Sequence, residues 1–211
     1  MAGFAHPRDT WNARFAQDDY LFGRAPNAFL AAQAHRLVPG QRVLCVADGE
    51  GRNSVWLAER GLEVTAFDFA PNAVRKGHRM AGERGVHVAF AEADMLEYPW
   101  PAAAYDAVVA IFIQFLSPDQ RPTTFEGMRG AVRPGGLFLL EGYRPEQVAY
   151  ATGGPGKVEH MYTRAWLEAE FAQWEILHLA AYDADIAEGT AHKGRSALID
   201  LVAKKANEGR R

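Results

Sequence analysis

The sequence predicts an α/β fold with an open, doubly wound and mostly parallel sheet. Short apolar runs, rich in branched and aromatic residues, recur at intervals of roughly 20 to 30 residues, with helix-forming segments between them. Parallel strands covered on both faces are expected to be almost continuously apolar, and the alternation of strands with helices implies right-handed crossovers. The five runs are 43–47, 63–67, 86–90, 107–111 and 137–140.

Start and stop signals define the helices between these runs. The segment 54–60 ends before a glycine, and the segment 71–84 begins at a proline, which suits a first helical turn. A third helix is predicted to begin at Ser117-Pro118 and to end at the segment 133–136, which contains a proline and two glycines. Ligands of sheets built in this way bind at the carboxyl ends of the strands.

The last quarter of the chain follows a different pattern. A glycine-rich loop at 152–156 precedes a short helix over 163–171 that begins with a good N-cap threonine. Two strand-like stretches follow at 174–179 and 197–202, with no room for a crossover helix between them. We therefore expect these two strands to pair antiparallel through the loop at 188–194.

Composition excludes several classes of protein. The net charge of -3 gives no broad electrostatic attraction for nucleic acid. A single cysteine, Cys45, allows no internal disulfide and no cysteine cluster for zinc, so no metal site is expected. The start of the chain has no apolar leader, and the apolar run 107–113 is far shorter than the ~20 residues of a membrane helix. The chain is expected to be soluble and cytoplasmic, with no nucleic-acid or membrane partner.

The most informative segment is the turn after the first strand. Its two closely spaced glycines, Gly49 and Gly51, allow close approach of the backbone to a ligand and positive φ angles. Asp68 ends the next strand, 17 residues after Gly51, where a carboxylate can accept hydrogen bonds from both hydroxyls of a ribose. Asp94 follows the third strand at the same edge. Together these positions predict a nucleoside-type ligand.

The charge of the turn favours one kind of nucleoside. A dinucleotide-binding turn has a third glycine where this chain has Ser54. Asp48 and Glu50 flank Gly49, and two carboxylates would repel a pyrophosphate but suit a cationic amine or sulfonium. S-adenosylmethionine carries both cations. An NAD-dependent oxidoreductase of similar topology remains the alternative.

Several segments match, in order and spacing, those of one known family. They are 11–15, 20–27, 49–53, 133–137, 141–142, 145–147, 152–155 and 188–189, followed by His192 and Gly194. Through them the chain resembles the class I S-adenosylmethionine-dependent methyltransferases, and it is similar to small bacterial members of the tellurite-resistance type. The resemblance implies a Rossmann-like, mostly parallel sheet of seven strands with an antiparallel last strand.

Length and resemblance together predict one methyltransferase domain over residues 1–211, because ~150 residues are typical of a domain. Within it we expect an N-terminal helical lid at 1–36, a cofactor-binding core at 37–143, and substrate-side loops with the antiparallel strands at 144–204.

The resemblance implies S-adenosylmethionine as the cofactor and assigns residues to its methionine end. Gly49 and Gly51 would face the methionine part, with Asp48 near its amine. Asn53 belongs to the same turn, and Arg14 is a candidate partner of the carboxylate.

A second group of residues is assigned to the adenosine end. Asp68 would hold the ribose, with Phe69 beside the adenine. Asp94 would bind the adenine amino group and Met95 the ring, while Ile111 would line the pocket.

The chemistry needs few catalytic groups, because methyl transfer is a displacement at an activated carbon and chiefly requires alignment. A base is required only if the acceptor arrives protonated. The candidates on the substrate side are Tyr143, Gln114 and His192, with Glu188 near His192. The expected acceptor is a small molecule, with a thiol or a chalcogen oxyanion favoured by the resemblance.

The chain departs from the family pattern at three positions. Cys45 and Ala47 stand where most members have an acidic residue and a first glycine, and Gln114 stands where similar proteins often have a histidine. These departures keep open the alternative of a non-catalytic module that binds S-adenosylmethionine. A monomer and a homodimer fit the sequence equally well.

Overall fold

A computed structural model describes residues 7–207. The seven strands are β1 Arg42–Cys45, β2 Glu63–Asp68, β3 Val88–Glu92, β4 Tyr105–Ile111, β5 Val132–Tyr143, β6 Trp174–Glu188 and β7 His192–Lys205. The α-helices in this part of the chain are α1 Pro7–Arg14, α2 Ala28–Gln33, α3 Arg52–Glu59, α4 Pro71–Arg84, α5 Arg121–Ala131, α6 Gln147–Tyr150 and α7 Arg164–Glu170. None of these helices is long and apolar enough to cross a membrane.

The strands form one sheet in the order β3-β2-β1-β4-β5-β7-β6. The pairs β1–β2, β1–β4, β2–β3 and β4–β5 are parallel, whereas β7 is antiparallel to both β5 and β6. The prediction of a doubly wound, seven-stranded and mostly parallel sheet with an antiparallel last strand is therefore confirmed.

The centre of the sheet is the point where the strand order reverses. β1 lies between β2 and β4, and its residues Val43, Leu44 and Cys45 are almost completely buried. Because ligands of open α/β sheets bind at such a switch point, the loops that leave β1, β2 and β4 are the expected site.

Several helix signals of the sequence have the predicted effect. α4 spans Pro71–Arg84, and Gly85 ends it with a left-handed φ of 67°. The side chain of Thr163 accepts a hydrogen bond from Trp166 N at the start of α7. These caps satisfy backbone groups that the helix itself leaves unpaired.

The third predicted helix has different bounds. α5 begins at Arg121, with a proline in its first turn, and not at Ser117-Pro118. The segment 133–136, predicted as a helix stop, lies within β5 opposite a register shift between Tyr105 and Ala107 of β4. Gly136 is required there, because a Cβ atom would lie 2.7 Å from the carbonyl oxygen of Asp106.

The β6–β7 hairpin is longer than the sequence predicts. β5 pairs with β7 only from Leu137 to Tyr143, whereas the β6–β7 pairing continues to Glu188 and His192. Residues 180–188 alternate between half-buried and exposed positions, and the acidic residues among them interrupt any apolar run. The free end of the hairpin reaches the N-terminal segment, where the backbone N–H of Thr190 donates to Leu21 O at 3.0 Å.

Candidate active site

A cavity of about 610 Å³ lies at the carboxyl ends of the central strands. This volume is within the usual range for small-molecule sites. The N-terminal segment, the strand-end loops, the 153–157 loop and the end of the β6–β7 hairpin all contribute to its walls. The aromatic lining residues are Trp11, Phe15, Phe22, Phe69, Phe112, Phe115 and Tyr143.

The two glycines of the turn after β1 have different functions. Gly49 has a φ of 64° and lines the cavity. Gly51, with a φ of 90°, does not; a Cβ atom there would lie only 2.8 Å from the Cα atom of Gly77. Gly51 therefore permits α3 to pack closely against α4, which is a requirement of the fold and not a contact of the cavity.

Asp68 is the anchor of the cofactor end. It is 5 % exposed, and its two carboxylate oxygens accept hydrogen bonds from Gly49 N at 3.0 Å and Ala70 N at 2.9 Å. Burial raises its pKa to about 6, with smaller contributions from Asp94 and Glu50. A carboxylate has about four acceptor positions, so Asp68 can still accept the two hydroxyls of a ribose.

Asp48 lies beside it. It lines the cavity, and its carboxylate accepts a hydrogen bond from Ser54 Oγ. Its pKa is raised to about 7, chiefly by burial and also by nearby Asp68, while Ser54 and Arg52 oppose the increase. An ammonium group would stabilise its ionised form, so this end of the cavity fits a cationic, ribose-bearing ligand.

Glu50 does not share this role. It is buried and does not line the cavity; Glu50 forms a salt bridge with Lys76 at 2.5 Å and accepts a hydrogen bond from Leu21 N at 2.7 Å. The inference that both acidic residues of the turn favour a cation is thus wrong for Glu50, whose charge is already paired. Glu50 instead attaches the segment near residue 21 to the core.

The remaining candidates for cofactor binding fall into two groups. Arg14, Asn53 and Ile111 line the same cavity, as does Phe69. Asp94 and Met95 do not line it. Asp94 accepts a hydrogen bond from Leu96 N at 2.9 Å, and the side chain of Met95 is buried in the main hydrophobic core.

His192 and Tyr143 lie at the other end of the cavity. The His192 ring is 4.4 Å from that of Phe22, 4.6 Å from that of Phe112 and 5.8 Å from that of Tyr143, measured between centroids. Among residues 7–207, neither His192 Nδ1 nor the Tyr143 hydroxyl, both buried, has a hydrogen-bond partner. His192 Nδ1 faces Glu188 Oε2 at 3.6 Å. The Tyr143 hydroxyl lies in the cavity wall, and a buried polar atom without a partner there is expected to meet a ligand.

Gln114 also lines the cavity, but its amide is engaged by the backbone. Its Oε1 accepts from Tyr143 N at 2.6 Å, and its Nε2 donates to Tyr143 O at 2.9 Å. Gln114 thus fixes the position of Tyr143.

A buried polar network behind His192 was not predicted. Arg52 donates to Glu188 at 2.7 Å, and Asn27 donates to Glu188 at 3.1 Å and also to Glu141. Glu188 and His192 were suggested by their position, but Arg52 and Asn27 resemble ordinary helix-start residues in the sequence. Asn27 is indeed the N-cap of α2 as well, accepting from Leu30 N at 3.0 Å.

Comparison with known proteins agrees with this geometry. Residues 43–136 match a family model described as a methyltransferase domain. The chain is 37 % identical over 112 residues to the demethylmenaquinone methyltransferase of Thermus thermophilus, covering 52 % of this chain and 51 % of that protein. It is 32 % identical over 124 residues to the protein of the same name in Deinococcus radiodurans, covering 58 % and 49 %. The chain thus spans about half the length of these relatives.

Solved structures share the fold along most of the chain. A structure titled for the conversion of a disulfide bond into a thioacetal group in echinomycin biosynthesis has a TM-score of 0.76 at 18 % identity and covers 97 % of this chain and 95 % of its own. TehB from Haemophilus influenzae has a TM-score of 0.71 at 17 % identity, covering 94 % and 66 %. The N-methyltransferase NodS from Bradyrhizobium japonicum, in complex with S-adenosylhomocysteine, has a TM-score of 0.71 at 14 % identity, covering 94 % and 97 %.

The fold and these matches agree on one class: residues 43–136 match a methyltransferase domain, and the chain shares its fold with methyltransferases of known structure, one of them in complex with S-adenosylhomocysteine. The narrower similarity to tellurite-resistance methyltransferases stays a prediction.

Proposed function

We propose that the protein transfers the methyl group of S-adenosylmethionine to a small-molecule acceptor by direct displacement. The observation that carries this proposal is one cavity with two unlike ends: Asp48 and Asp68 lie at one end, and the unpartnered hydroxyl of Tyr143 lies with the His192 ring at the other. Holding both reactants in one aromatic-walled cavity supplies alignment and excludes water, effects that contribute roughly 7–11 kcal/mol in favourable systems.

The bound cofactor supplies a methyl group activated by a sulfonium. Asp48 would accept hydrogen bonds from its amine, and Arg14 would pair with its carboxylate. Gly49 and Asn53 would approach the methionine part from the turn after β1. Gly51 would keep that turn close to α4.

At the adenosine end, Asp68 would accept hydrogen bonds from the ribose. Phe69 and Ile111 would contact the adenine and the wall beside it. Asp94 and Met95, which follow β3 outside the lining of the cavity, complete the proposed adenine end.

The acceptor we propose is a thiol or a chalcogen oxyanion. It would lie between Phe112 and Tyr143, the latter held by Gln114, with His192 as the candidate base. The residues 1–36 would act as a lid, 37–143 as the cofactor core, and 144–204 as the acceptor side. Residues 1–6 of this lid lie outside the described residues. We also propose a cytoplasmic monomer or homodimer with no nucleic-acid partner.

Calorimetry and turnover together test this function. The protein is titrated with S-adenosylhomocysteine and with NADH, and then incubated with methyl-labelled S-adenosylmethionine and a panel of thiols, tellurite, selenite, amines and phenols. We expect binding of S-adenosylhomocysteine and label transfer to at least one acceptor. Asp68→Asn should weaken binding, whereas the exposed Asp119→Asn should not.

Two outcomes would contradict the proposal. Binding of NADH without S-adenosylhomocysteine would favour an oxidoreductase. Binding of S-adenosylhomocysteine with no transfer across the whole panel would favour a non-catalytic module.

A further inference from the structure

The end of the β6–β7 hairpin brings an acid and an imidazole together. Glu188 and His192 are the last residue pair of the two strands. Glu188 Oε2 lies 3.6 Å from His192 Nδ1 and accepts a hydrogen bond from Arg52 at 2.7 Å. The other oxygen of Glu188 accepts from Asn27 at 3.1 Å. Three separate segments of the chain thus position this one carboxylate.

The charges of this group are settled by their surroundings. Burial opposes ionisation of Glu188, but the His192 and Arg52 side chains outweigh it and lower its pKa to about 2. Burial lowers the pKa of His192, as do Arg52 and Arg14, against the opposite effect of Glu188. A neutral imidazole therefore lies beside an ionised carboxylate near neutral pH.

The neighbours of the ring fix its orientation. Phe22 and Phe112 pack at 4.4 and 4.6 Å, and the His192 side chain is only 12 % exposed. With Nδ1 toward Glu188, the Nδ1–H tautomer is favoured and the lone pair of Nε2 is left for an acceptor. The gap of 3.6 Å is just longer than a hydrogen bond, and such catalytic contacts commonly shorten when the ligand binds.

We infer that Glu188 and His192 form a general-base dyad, with Arg52 holding the carboxylate, and that the acceptor reaches the site as a protonated thiol or hydroxyl. This inference rests on the proposed function and narrows its acceptor. A preformed base has no use for an acceptor that arrives as an oxyanion. The neutral ring also gives an oxyanion no positive partner at this position.

His192 Nε2 takes the proton from the S–H or O–H of the acceptor, and the freed electron pair forms the bond to the methyl carbon. The electron pair of the broken carbon–sulfur bond stays on the cofactor sulfur. Methylated acceptor, S-adenosylhomocysteine and an imidazolium result, and the imidazolium releases its proton to water. His192 is the catalytic residue, whereas Glu188 and Arg52 are positioning residues.

Nitrogen NMR of the cofactor-free, ¹⁵N-labelled protein tests the dyad without any turnover. The missing resonances of His192→Asn assign the ring among the seven histidines. We expect a neutral Nδ1–H tautomer at pH 7 in the wild type, and a mixture of tautomers in Glu188→Gln. An imidazolium or an Nε2–H tautomer in the wild type would overturn the inference, and this measurement requires no variant to be active.

The pH profile of kcat/KM gives the second readout. The titratable or charged groups that face His192 are Glu188, Arg52, Arg14 and Tyr143. We expect activity to rise with pH as His192 loses its proton. In Glu188→Gln the inflection should move to lower pH, because the carboxylate that favours the imidazolium is gone, and the plateau should fall about 10–100-fold. His192→Asn should lose the inflection and 10²–10⁴-fold of activity.

The control is Glu170→Gln, which removes the carboxylate partner of Arg129 without touching the cavity. It should leave the pH profile unchanged. All variants should bind S-adenosylhomocysteine within twofold of the wild type. An unshifted profile in Glu188→Gln, or wild-type rates in His192→Asn, would refute the dyad, whereas failure of the wild type to bind S-adenosylhomocysteine would refute the proposed function itself.

Discussion

The two ends of the cavity bury carboxylates in opposite electrostatic states. At the cofactor end, burial raises the pKa of Asp48 to about 7 and that of Asp68 to about 6. At the acceptor end, Arg52 and His192 overcome burial and lower the pKa of Glu188 to about 2. One end therefore has negative charge to offer a cationic ligand, and the other has balanced its charges internally.

The two ends also differ in how the chain builds them. Asp48 lies three residues after the end of β1, and Asp68 is the last residue of the neighbouring strand β2. The parallel pairing of these two strands brings residues that are 20 apart in sequence to the same edge of the sheet. Glu188 and His192 lie on a hairpin end that contacts the rest of the protein through Leu21, Asn27 and Arg52. The cofactor end is thus built into the sheet, while the acceptor end is assembled on its edge.

A large expected effect is the part of the pH dependence of stability that Asp48 contributes at the cofactor end. The pKa of Asp48 moves from an ordinary 3.8 to about 7, so the folded protein holds a proton that the unfolded chain has lost. The free energy of unfolding must therefore fall as the pH rises from about 4 to 7. At about 1.4 kcal/mol for each tenfold change in proton affinity, Asp48 contributes at most roughly 4 kcal/mol.

Urea unfolding of the cofactor-free protein at pH 5 and pH 8 measures this effect. Asp48→Asn should flatten the pH dependence and raise stability at pH 8, whereas the exposed Asp119→Asn should keep the wild-type slope. Glu188 changes the stability little between pH 5 and pH 8, because its ordinary pKa of 4.5 and its lowered pKa of about 2 both lie below this range. An equal slope in Asp48→Asn and wild type would remove the proposed contrast between the two ends.

A pair of glycine variants compares the rigidity of the two ends. In Gly51→Ala, the new Cβ atom would lie 2.8 Å from the Gly77 backbone at a φ of 90°. Since α3 and α4 leave no room to shift, left-handed strain and overpacking should together cost about 2–5 kcal/mol. In Gly189→Ala, at a φ of 64°, the Cβ atom would meet the backbone of residues 21–23, but the hairpin end can separate from that segment and relieve the overpacking.

We therefore expect the free energy of unfolding to fall more in Gly51→Ala than in Gly189→Ala. Relative to that fall, the rate of methyl transfer should decrease more in Gly189→Ala. Urea unfolding and transfer rates measured on the same samples give both quantities. Gly82→Ala is the control, because it lies in α4 with open space around it and should be neutral or gain up to about 1 kcal/mol. If Gly51→Ala were as stable as the wild type, the cofactor end would be less rigid than its packing indicates.

The same contrast explains how much could be predicted from the sequence. The strands around the cofactor end are continuous apolar runs, and Gly49 and Asp68 lie at their ends, so periodicity and strand topology suffice to bring them together. The packing requirement for a glycine at position 51 could not be predicted in this way. It depends on contact with Gly77 in α4, and no sequence pattern distinguishes Gly77 from the other positions of that helix. Likewise, the pairing of Glu50 with Lys76 depends on how α3 and α4 pack.

The acceptor end was predictable only in part. Tyr143 was predicted from its place after the fifth strand, and Glu188 and His192 from their place in the loop predicted between the last two strands. The hairpin that carries these two extends beyond the pairing with β5, through residues that alternate between half-buried and exposed positions and form no apolar run. Arg52 and Asn27 reach Glu188 from segments more than a hundred residues away, a distance over which no local pattern carries information.

The smallest expected effect concerns one atom at the acceptor end, the hydroxyl oxygen of Tyr143. The Tyr143 hydroxyl is buried without a hydrogen-bond partner among residues 7–207, and it lines the cavity. Tyr143→Phe should therefore leave stability unchanged or raise it by up to about 1 kcal/mol, since an unsatisfied polar group is removed. If the hydroxyl instead meets the acceptor, KM for the acceptor should rise about tenfold while the affinity for S-adenosylhomocysteine stays within twofold.

Urea unfolding, calorimetry and steady-state kinetics of Tyr143→Phe distinguish a role of this hydroxyl in acceptor binding from a role in cofactor binding. A matched variant, Tyr162→Phe, removes a buried hydroxyl from the main core and should leave KM for the acceptor unchanged. Weaker binding of S-adenosylhomocysteine in Tyr143→Phe would mean that this hydroxyl serves the cofactor, and the boundary between the two ends would then lie nearer to His192. An unchanged KM would assign the acceptor contact to His192 alone, because the amide of Gln114 is hydrogen-bonded to the backbone of Tyr143.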